Sequence, residues 1–255
     1  IAVLILGYFF YGKFVEKIFG IDSTRPTPAL TRADGIDYVP LGWGKIFLIQ
    51  FLNIAGLGPI FGAIAGAVWG PVAFLWIVLG CVLGGAVHDF FSGMISLRND
   101  GMSIPDIVGK YLGIPVKQFM RFFTVAMMVL VGAVFIIGPA KIISGLTPAW
   151  MDLTFWAVII FIYYVFATLL PVDKIIGRIY PVFGLAMLCM AVGIAGAMLY
   201  NGLPVPELTL SHIKNMNSNP DAFPIFPMMF VTIACGAISG FHATQSPLMA
   251  RCLKK

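Results

Sequence analysis

Charge is what this sequence has least of. Asp, Glu, Lys and Arg together make up 11% of its 255 residues, whereas a soluble domain carries about 25%. Cysteine is sparse too: Cys81, Cys189 and Cys235 fall inside apolar runs, Cys252 lies beside one, and no Cys-x-x-Cys pair occurs. That spacing supports neither a metal cluster nor a disulfide framework, and it leaves the cysteines as small apolar packing residues. There is no His-Glu-x-x-His and no Gly-x4-Gly-Lys, so zinc peptidase chemistry and ATP-driven pumping lack their residues. No segment is polar enough for long enough to form a separate soluble domain. The sequence opens at Ile1 inside an apolar run, without Met or a signal-cleavage pattern, and stops at Lys255 just past another run. We therefore expect a piece of a longer protein.

Hydrophobic residues account for 60% of the chain and the mean hydropathy is +0.96. Seven apolar runs, 1–19, 43–68, 71–97, 117–143, 151–170, 177–200 and 225–250, each hold roughly 20 residues or more, enough to cross a hydrocarbon core about 30 Å thick. If the first loop is threaded inside, then Lys13, Lys17, Arg25, Arg32, Lys45, Arg98, Lys110, Lys117, Arg121, Lys174, Arg178, Arg251, Lys254 and Lys255 all gather on that side. Only Lys141 and Lys214 fall outside. Such an excess marks cytoplasmic loops. The expected protein is all-α, a polytopic helical membrane protein with about seven transmembrane helices, its first residue outside and Lys255 inside. A net charge of +5 could suggest nucleic acid. Here the cations sit at helix ends and in short loops, so membrane lipid headgroups are the expected partner and nucleic acid is not.

Two runs differ from the rest. In 43–68, Ile54-Ala55-Gly56-Leu57-Gly58-Pro59-Ile60 puts two glycines and a proline at mid-span, and in 225–250, Cys235-Gly236-Ala237-Ile238-Ser239-Gly240-Phe241-His242 does the same. Proline removes a backbone donor and glycine lets the chain unwind. Backbone that unwinds at membrane depth must be satisfied by protein, water or a ligand. The two runs are first and sixth of a series, so they cross in opposite directions, the pattern of an inverted-repeat transporter with a midplane site between two broken helices. On that reading 43–200 is the first five-helix half-repeat, 225–250 opens the second, and 1–19 is an extra N-terminal helix in a single transmembrane domain, 1–255. The plainer alternative is close helix packing at the glycines.

The stretches Gln50-Phe51-Leu52-Asn53-Ile54-Ala55-Gly56-Leu57-Gly58-Pro59, Gly85-Ala86-Val87-His88-Asp89-Phe90-Phe91-Ser92-Gly93-Met94 and Gly236-Ala237-Ile238-Ser239-Gly240-Phe241-His242-Ala243-Thr244-Gln245-Ser246 resemble the carbon starvation protein A family. The resemblance covers essentially the whole chain. It implies a secondary active transporter of the bacterial inner membrane, made under carbon limitation, that imports peptides or, in some members, pyruvate. It also implies the five-plus-five inverted repeat of the amino acid–polyamine–organocation superfamily, a leucine-transporter-like fold. Family members are longer than this chain and continue beyond the second broken helix, so the fold here is expected to be incomplete.

The residues suggest where the chemistry sits. A half-helix restarting at Gly58-Pro59 would aim the N–H groups of Ile60, Phe61 and Gly62 at the break, with the positive end of the helix dipole behind them. That arrangement binds anions. Gly56, Gly58, Pro59 and nearby Asn53 are thus candidates for a substrate carboxylate. Ser239, Gly240, His242, Thr244 and Gln245 are candidates at the second break, with helix–helix hydrogen bonding the alternative for Ser239 and Ser246. Asp89 is the one carboxylate placed well inside a run, and intramembrane acids serve proton relays or cation sites or form structural ion pairs. His88 beside it points about 100° away around a helix, so the two need not pair. Coupling to H+ through Asp89 and His88 is expected, with Na+ as the alternative, and no cofactor. Ser239 with His242 faintly resembles an intramembrane serine peptidase, but both lie in one stretch where a base would come from another helix, so no enzyme is expected. A channel needs a continuous polar lining, whereas the polar residues cluster at two breaks.

Overall fold

A computed structural model of the chain describes every residue except Ala55, Leu170, Pro171, Val205, Pro206, Ser239 and Lys255, with backbone alone for 172–180 and Ala237. Helix α1 covers 2–19 and includes a π-helical segment, Gly7–Gly12. Helices α2 (Trp43–Ile54) and α3 (Leu57–Trp69) follow, bent by 46° at the break between them. Next come α4 (Val72–Arg98), which carries a π-helical segment at Gly80–Gly85, and the short α5 (Ile104–Leu112). Beyond it lie α6 (Ile114–Ser144), α7 (Leu153–Leu169) and α8 (Val172–Tyr200). The last run holds α9 (Phe230–Ala237) and α10 (Gly240–Arg251). No strand occurs among the described residues, which hold one isolated bridge, Leu41 to Leu253.

Each of the seven apolar runs holds helix among its described residues. Four segments among the described residues are long and apolar enough to cross a membrane, Val72–Arg98, Ile114–Ser144, Pro181–Tyr200 and Ile225–Arg251, and the bent pair α2–α3 makes a fifth. Helix α7 has 17 residues, and α1 carries Lys13, Glu16 and Lys17 in its second half. Helix α8 has begun by Val172; Leu170 and Pro171 lie outside the described residues. Before α5, Ser103 Oγ donates to Asp106 Oδ2 at 2.6 Å, closing the first turn of an amphipathic helix.

Contacts divide the chain into two compact units, 1–107 with 184–255, and 108–183. In the second unit, α6 and α7 lie side by side. Tyr164 Oη donates to the Phe135 carbonyl at 3.1 Å, and Trp156 Nε1 donates to Thr147 Oγ1 at 3.0 Å. Each satisfies a polar tip on an otherwise apolar ring.

The first unit rests on two close helix pairs. Helix α3 presents Gly58, Gly62 and Gly66 at intervals of four, one face of the helix, to α9. A Cβ on Gly58 would lie 2.4 Å from Cys235 Sγ, one on Gly62 would lie 2.9 Å from the Thr232 carbonyl oxygen, and one on Gly66 would lie 2.5 Å from Ile233 Cδ1. In lipid, where apolar side chains gain nothing by leaving their surroundings, this backbone approach is what holds helices together. An apolar cluster of Trp69, Val72, Ala73, Met229 and Ile233 caps the pair, with the Trp76 and Phe230 rings 4.7 Å apart. The second pair is α4 with α10. Small residues Ser92, Gly93 and Ser96 are buried on α4, and a Cβ on Gly93 would lie 3.3 Å from Ala250 Cβ.

The loop 20–42 is tied to the ends of α4 and α10. Arg98 donates to the Phe19 carbonyl and, at 3.0 Å, to that of Gly20, where α1 ends on a left-handed glycine (φ 62°). Arg25 and Arg32 reach Asp100 at 3.5 and 3.1 Å. Arg251 meets Asp37 at 3.1 Å and lies 4.7 Å from the Tyr38 ring centroid. Leu41 exchanges backbone bonds with Cys252 and Lys254, both at 2.8 Å. Within the loop, Asp34 Oδ1 accepts the amides of Tyr38, Ile36 and Asp37 at 2.8–2.9 Å, which holds its carboxyl below the usual carboxylate range.

The glycine ladder is testable. Gly62→Leu forces side-chain carbons against the Thr232 backbone, which cannot swing aside. Overpacking of this kind costs about 1–3 kcal/mol. Thermal unfolding in detergent should show a clear loss of stability for Gly62→Leu and almost none for a leucine at Gly193, where a Cβ meets nothing within 4 Å.

Candidate functional site

The first break follows from its residues. Gly56 is extended (φ −77°, ψ −177°) and caps α3, which restarts at Leu57. Pro59 falls in the first turn, where a helix has no use for its missing N–H. The restart lies one residue earlier than the Gly58-Pro59 dipeptide suggests, and this changes which amides are free. Ile60 N–H already donates to the Gly56 carbonyl at 3.3 Å, so Ile60, Phe61 and Gly62 are committed to the helix. The amides that α3 leaves without a helical carbonyl are those of Leu57 and Gly58.

At the second break, α9 ends at Ala237 and Ile238 turns extended (φ −135°, ψ 100°). Ile238 N–H closes the last turn on the Ala234 carbonyl at 2.7 Å. The Gly236 carbonyl faces the Cys81 thiol at 3.8 Å, a weak donor supplied by α4. Cys81 sits in the π-helical segment of α4, where the wider turn shifts the side chains that follow, a common device at functional sites. The restart at Gly240 puts His242 inside α10 rather than in the unwound stretch. Ser239 lies outside the described residues.

The two breaks and α4 enclose a cavity of about 200 Å³ lined by Ile54, Pro59, Cys81, Gly85, Ala86, Asp89, Cys235, Gly236 and His242. Asp89 is the one charged residue in that lining. Its two oxygens go to two different imidazoles. His242 Nδ1 lies 2.8 Å from Oδ2, and His88 Nδ1 lies 3.0 Å from Oδ1. Adjacency on the helix does not keep His88 and Asp89 apart: the two side chains meet at 3.0 Å. With Asp89 ionised and both Nδ1 atoms carrying their protons, each imidazole donates to one carboxylate oxygen. His242 is only 5% exposed, and its Nε2 is buried without a hydrogen-bond partner. The His88 and Asp89 side chains are 32% and 28% exposed.

Of the substrate candidates, Pro59 and His242 line the cavity. Gly56 and Gly58 shape the break beside it, and Gly58 is the point of contact with Cys235. Asn53 is half-buried in the last turn of α2. Gly240 opens α10 and is exposed, while Thr244 Oγ1 donates to the Phe241 carbonyl at 2.7 Å and Gln245 is half-buried further along the helix. Below His242, Ser246 accepts from Gln50 Nε2 at 3.2 Å, leaving Gln50 Oε1 buried and unpartnered. Sequence reasoning did not find Gln50 or Cys81. The signal for Cys81 was the Gly80-Cys81-Val82-Leu83-Gly84-Gly85 run, dense in helix-loosening glycine.

The family model described as carbon starvation protein CstA matches residues 1–149 and 139–248. The chain belongs to this family. An uncharacterized membrane protein of Haemophilus influenzae is 44% identical over 300 aligned positions, which take in 99% of this chain and 81% of that protein. A Campylobacter jejuni relative named peptide transporter CstA is 31% identical, over 96% of this chain and 44% of the relative. An Escherichia coli relative named pyruvate/proton symporter BtsT is 28% identical, over 96% and 43%. The chain thus spans less than half the length of these two transporters. No solved structure matches it. Together with its apolar helices, this membership makes it a multi-pass membrane protein of a transporter family.

Asp89→Ala removes the partner of a buried imidazole, and a buried polar group left unpaired costs about 1–3 kcal/mol. Asp89→Asn keeps a neutral acceptor there. Thermal unfolding in detergent should therefore rank wild type above Asp89→Asn and Asp89→Asn above Asp89→Ala.

Proposed function

We propose that the chain is part of a secondary active transporter that imports peptides across the bacterial inner membrane under carbon limitation, coupled to protons. One observation carries the reading: two helix breaks meet in a single cavity, and the membrane-depth carboxylate Asp89 opens onto it. Broken helices facing each other across a bundle are the usual setting for transporter sites. A carboxylate at this depth is costly unless it has a task. The free amides of Leu57 and Gly58, at the positive end of α3, suit a substrate carboxylate, while Asp89 suits the coupling proton. Asn53, Gly56, Gly240, Thr244 and Gln245 border the breaks and would join the site as it opens. The excess of basic residues on one side argues for the first residue outside and the end of α10 in the cytoplasm. The opposed crossings of the two broken spans argue for an inverted repeat.

A second reading, import of a small carboxylate such as pyruvate, is favoured by size. Ligand pockets that hold drug-sized molecules run to about 300–1,000 Å³, and this one is about 200 Å³. Its lining also holds no lysine or arginine among the described residues, so an anion would enter along with a proton for Asp89.

Uptake by the complete gene product in proteoliposomes, under an imposed proton gradient, separates these. Labelled tripeptide should accumulate and be displaced by other peptides but not by excess pyruvate. Saturable pyruvate uptake with no peptide signal would replace the first reading with the second. Uptake of neither would end both.

A further inference from the structure

Asp89 binds two imidazoles of opposite character, one on each oxygen. His88 shares its helix and is part-exposed. His242 belongs to α10, beyond the second break and 153 residues along the chain, and is almost wholly buried. We propose that His88, Asp89 and His242 form a proton-operated clamp, in which a proton entering at His88 is stored on Asp89 and so releases His242, and with it the α10 half-helix, from α4. The proposal rests on the transporter reading and adds how the coupling proton would act on the structure.

The protons balance. In the clamped state Asp89 is ionised, and each imidazole is neutral and donates its Nδ1–H. A proton from water adds to Nε2 of His88, the part-exposed ring. The His88 Nδ1–H proton then moves 3.0 Å to Asp89 Oδ1, leaving His88 neutral with its proton on Nε2 and Asp89 a neutral carboxylic acid. His242 takes no proton. Its bond to Oδ2 changes from charge-assisted to neutral, and a charge-assisted bond is roughly twice as strong. Histidine suits the entry position because imidazole ordinarily changes charge between about pH 5 and 8.

The surroundings leave this pair of bonds in control. On α4, the other titratable group facing the cavity is the Cys81 thiol, and α9 contributes the Cys235 thiol. Helix α3 lines the cavity with Pro59 alone. Helix α2 approaches α10 through uncharged Gln50. Helix α1 turns Tyr8, Tyr11 and Glu16 to another groove, which Cys81 and Ala86 also line. Arg98 and Arg251 are engaged at the far ends of α4 and α10 with Phe19, Gly20 and Asp37. Besides the clamp, α4 and α10 meet through small-residue contact at Gly93 and Ala250 and through the Ser96 hydroxyl on the Pro247 carbonyl at 3.4 Å. Neither contact responds to pH.

Hydrogen exchange read by mass spectrometry on the complete protein in nanodiscs tests the clamp without any substrate. It is therefore independent of the uptake assay, and either can fail while the other succeeds. After correction for intrinsic exchange, amides of 240–251 should exchange at least tenfold faster at pH 5 than at pH 8 in wild type. D89N should exchange at the fast level at both pH values. H88Q should keep both end states but reach the fast one several-fold more slowly after an acid jump, a delay that a purely structural role for His88 would not produce. Unchanged protection in Leu57–Trp69, which belongs to the same unit, serves as the check that D89N is folded; if it is not, H242Q is the replacement and should likewise be fast at both pH values. A wild type without a pH step in 240–251, or a step that persists in D89N or H242Q, would overturn the proposal.

Discussion

A helix can be broken at membrane depth only if every freed N–H and C=O finds a partner, since hydrocarbon supplies none. The first unit of this protein is organised by that constraint. The break at Gly56 is placed against the break at Ile238, so each opens onto protein rather than lipid. Pro59 has no N–H to satisfy, the Ile238 amide returns to Ala234, and the Cys81 thiol covers the Gly236 carbonyl. Glycines on α3 let the two broken segments come close enough for this. Gly236 itself packs on Pro59, where an added Cβ would lie 3.4 Å from its Cα, so the residues that break the helices also join them.

The same arrangement makes room for a charge. Asp89 sits where α4 passes both breaks, one helical turn from its π-helical segment. Charge at this depth is unfavourable without partners, and the two imidazoles supply them. One comes from the adjacent position and one from the far end of the chain, so the carboxylate links α4 to α10. The arrangement combines a cavity of about 200 Å³ with a paired acid in its wall.

Much of this was legible in the sequence. Gly56-Leu57-Gly58-Pro59 announced the first break, and Asp89 stood out as the one carboxylate far from a span end. The family resemblance, carried by those same stretches, was shown by the comparisons. What the sequence hid was long-range. Nothing local to His242 says that it faces Asp89 rather than substrate, because that pairing depends on how α10 packs on α4. The free amides were misassigned because a one-residue shift in helix start changes which N–H groups lack a carbonyl. The Gly58, Gly62, Gly66 ladder was visible as a spacing of four. The break signal at Gly58-Pro59 overlies it, since the same glycine serves both purposes. The ties between loop 20–42 and α10 had no sequence signal, being built from lone residues such as Asp37 and Arg251.

Those ties carry a consequence for motion. The loop is fastened to α10 by Arg251 and by the Leu41 backbone, and to α4 by Asp100, so it bridges the two helices that Asp89 joins higher up. Exposed ion pairs contribute about 0–1 kcal/mol each and weaken as salt screens them. The bridge is therefore a set of weak, separable catches in parallel rather than one strong bond. They can come undone one at a time, so the loop by itself adds no single large barrier to movement of α10 against α4. The loop acts as a soft hinge cover whose stiffness follows the ionic strength of the solution that bathes it.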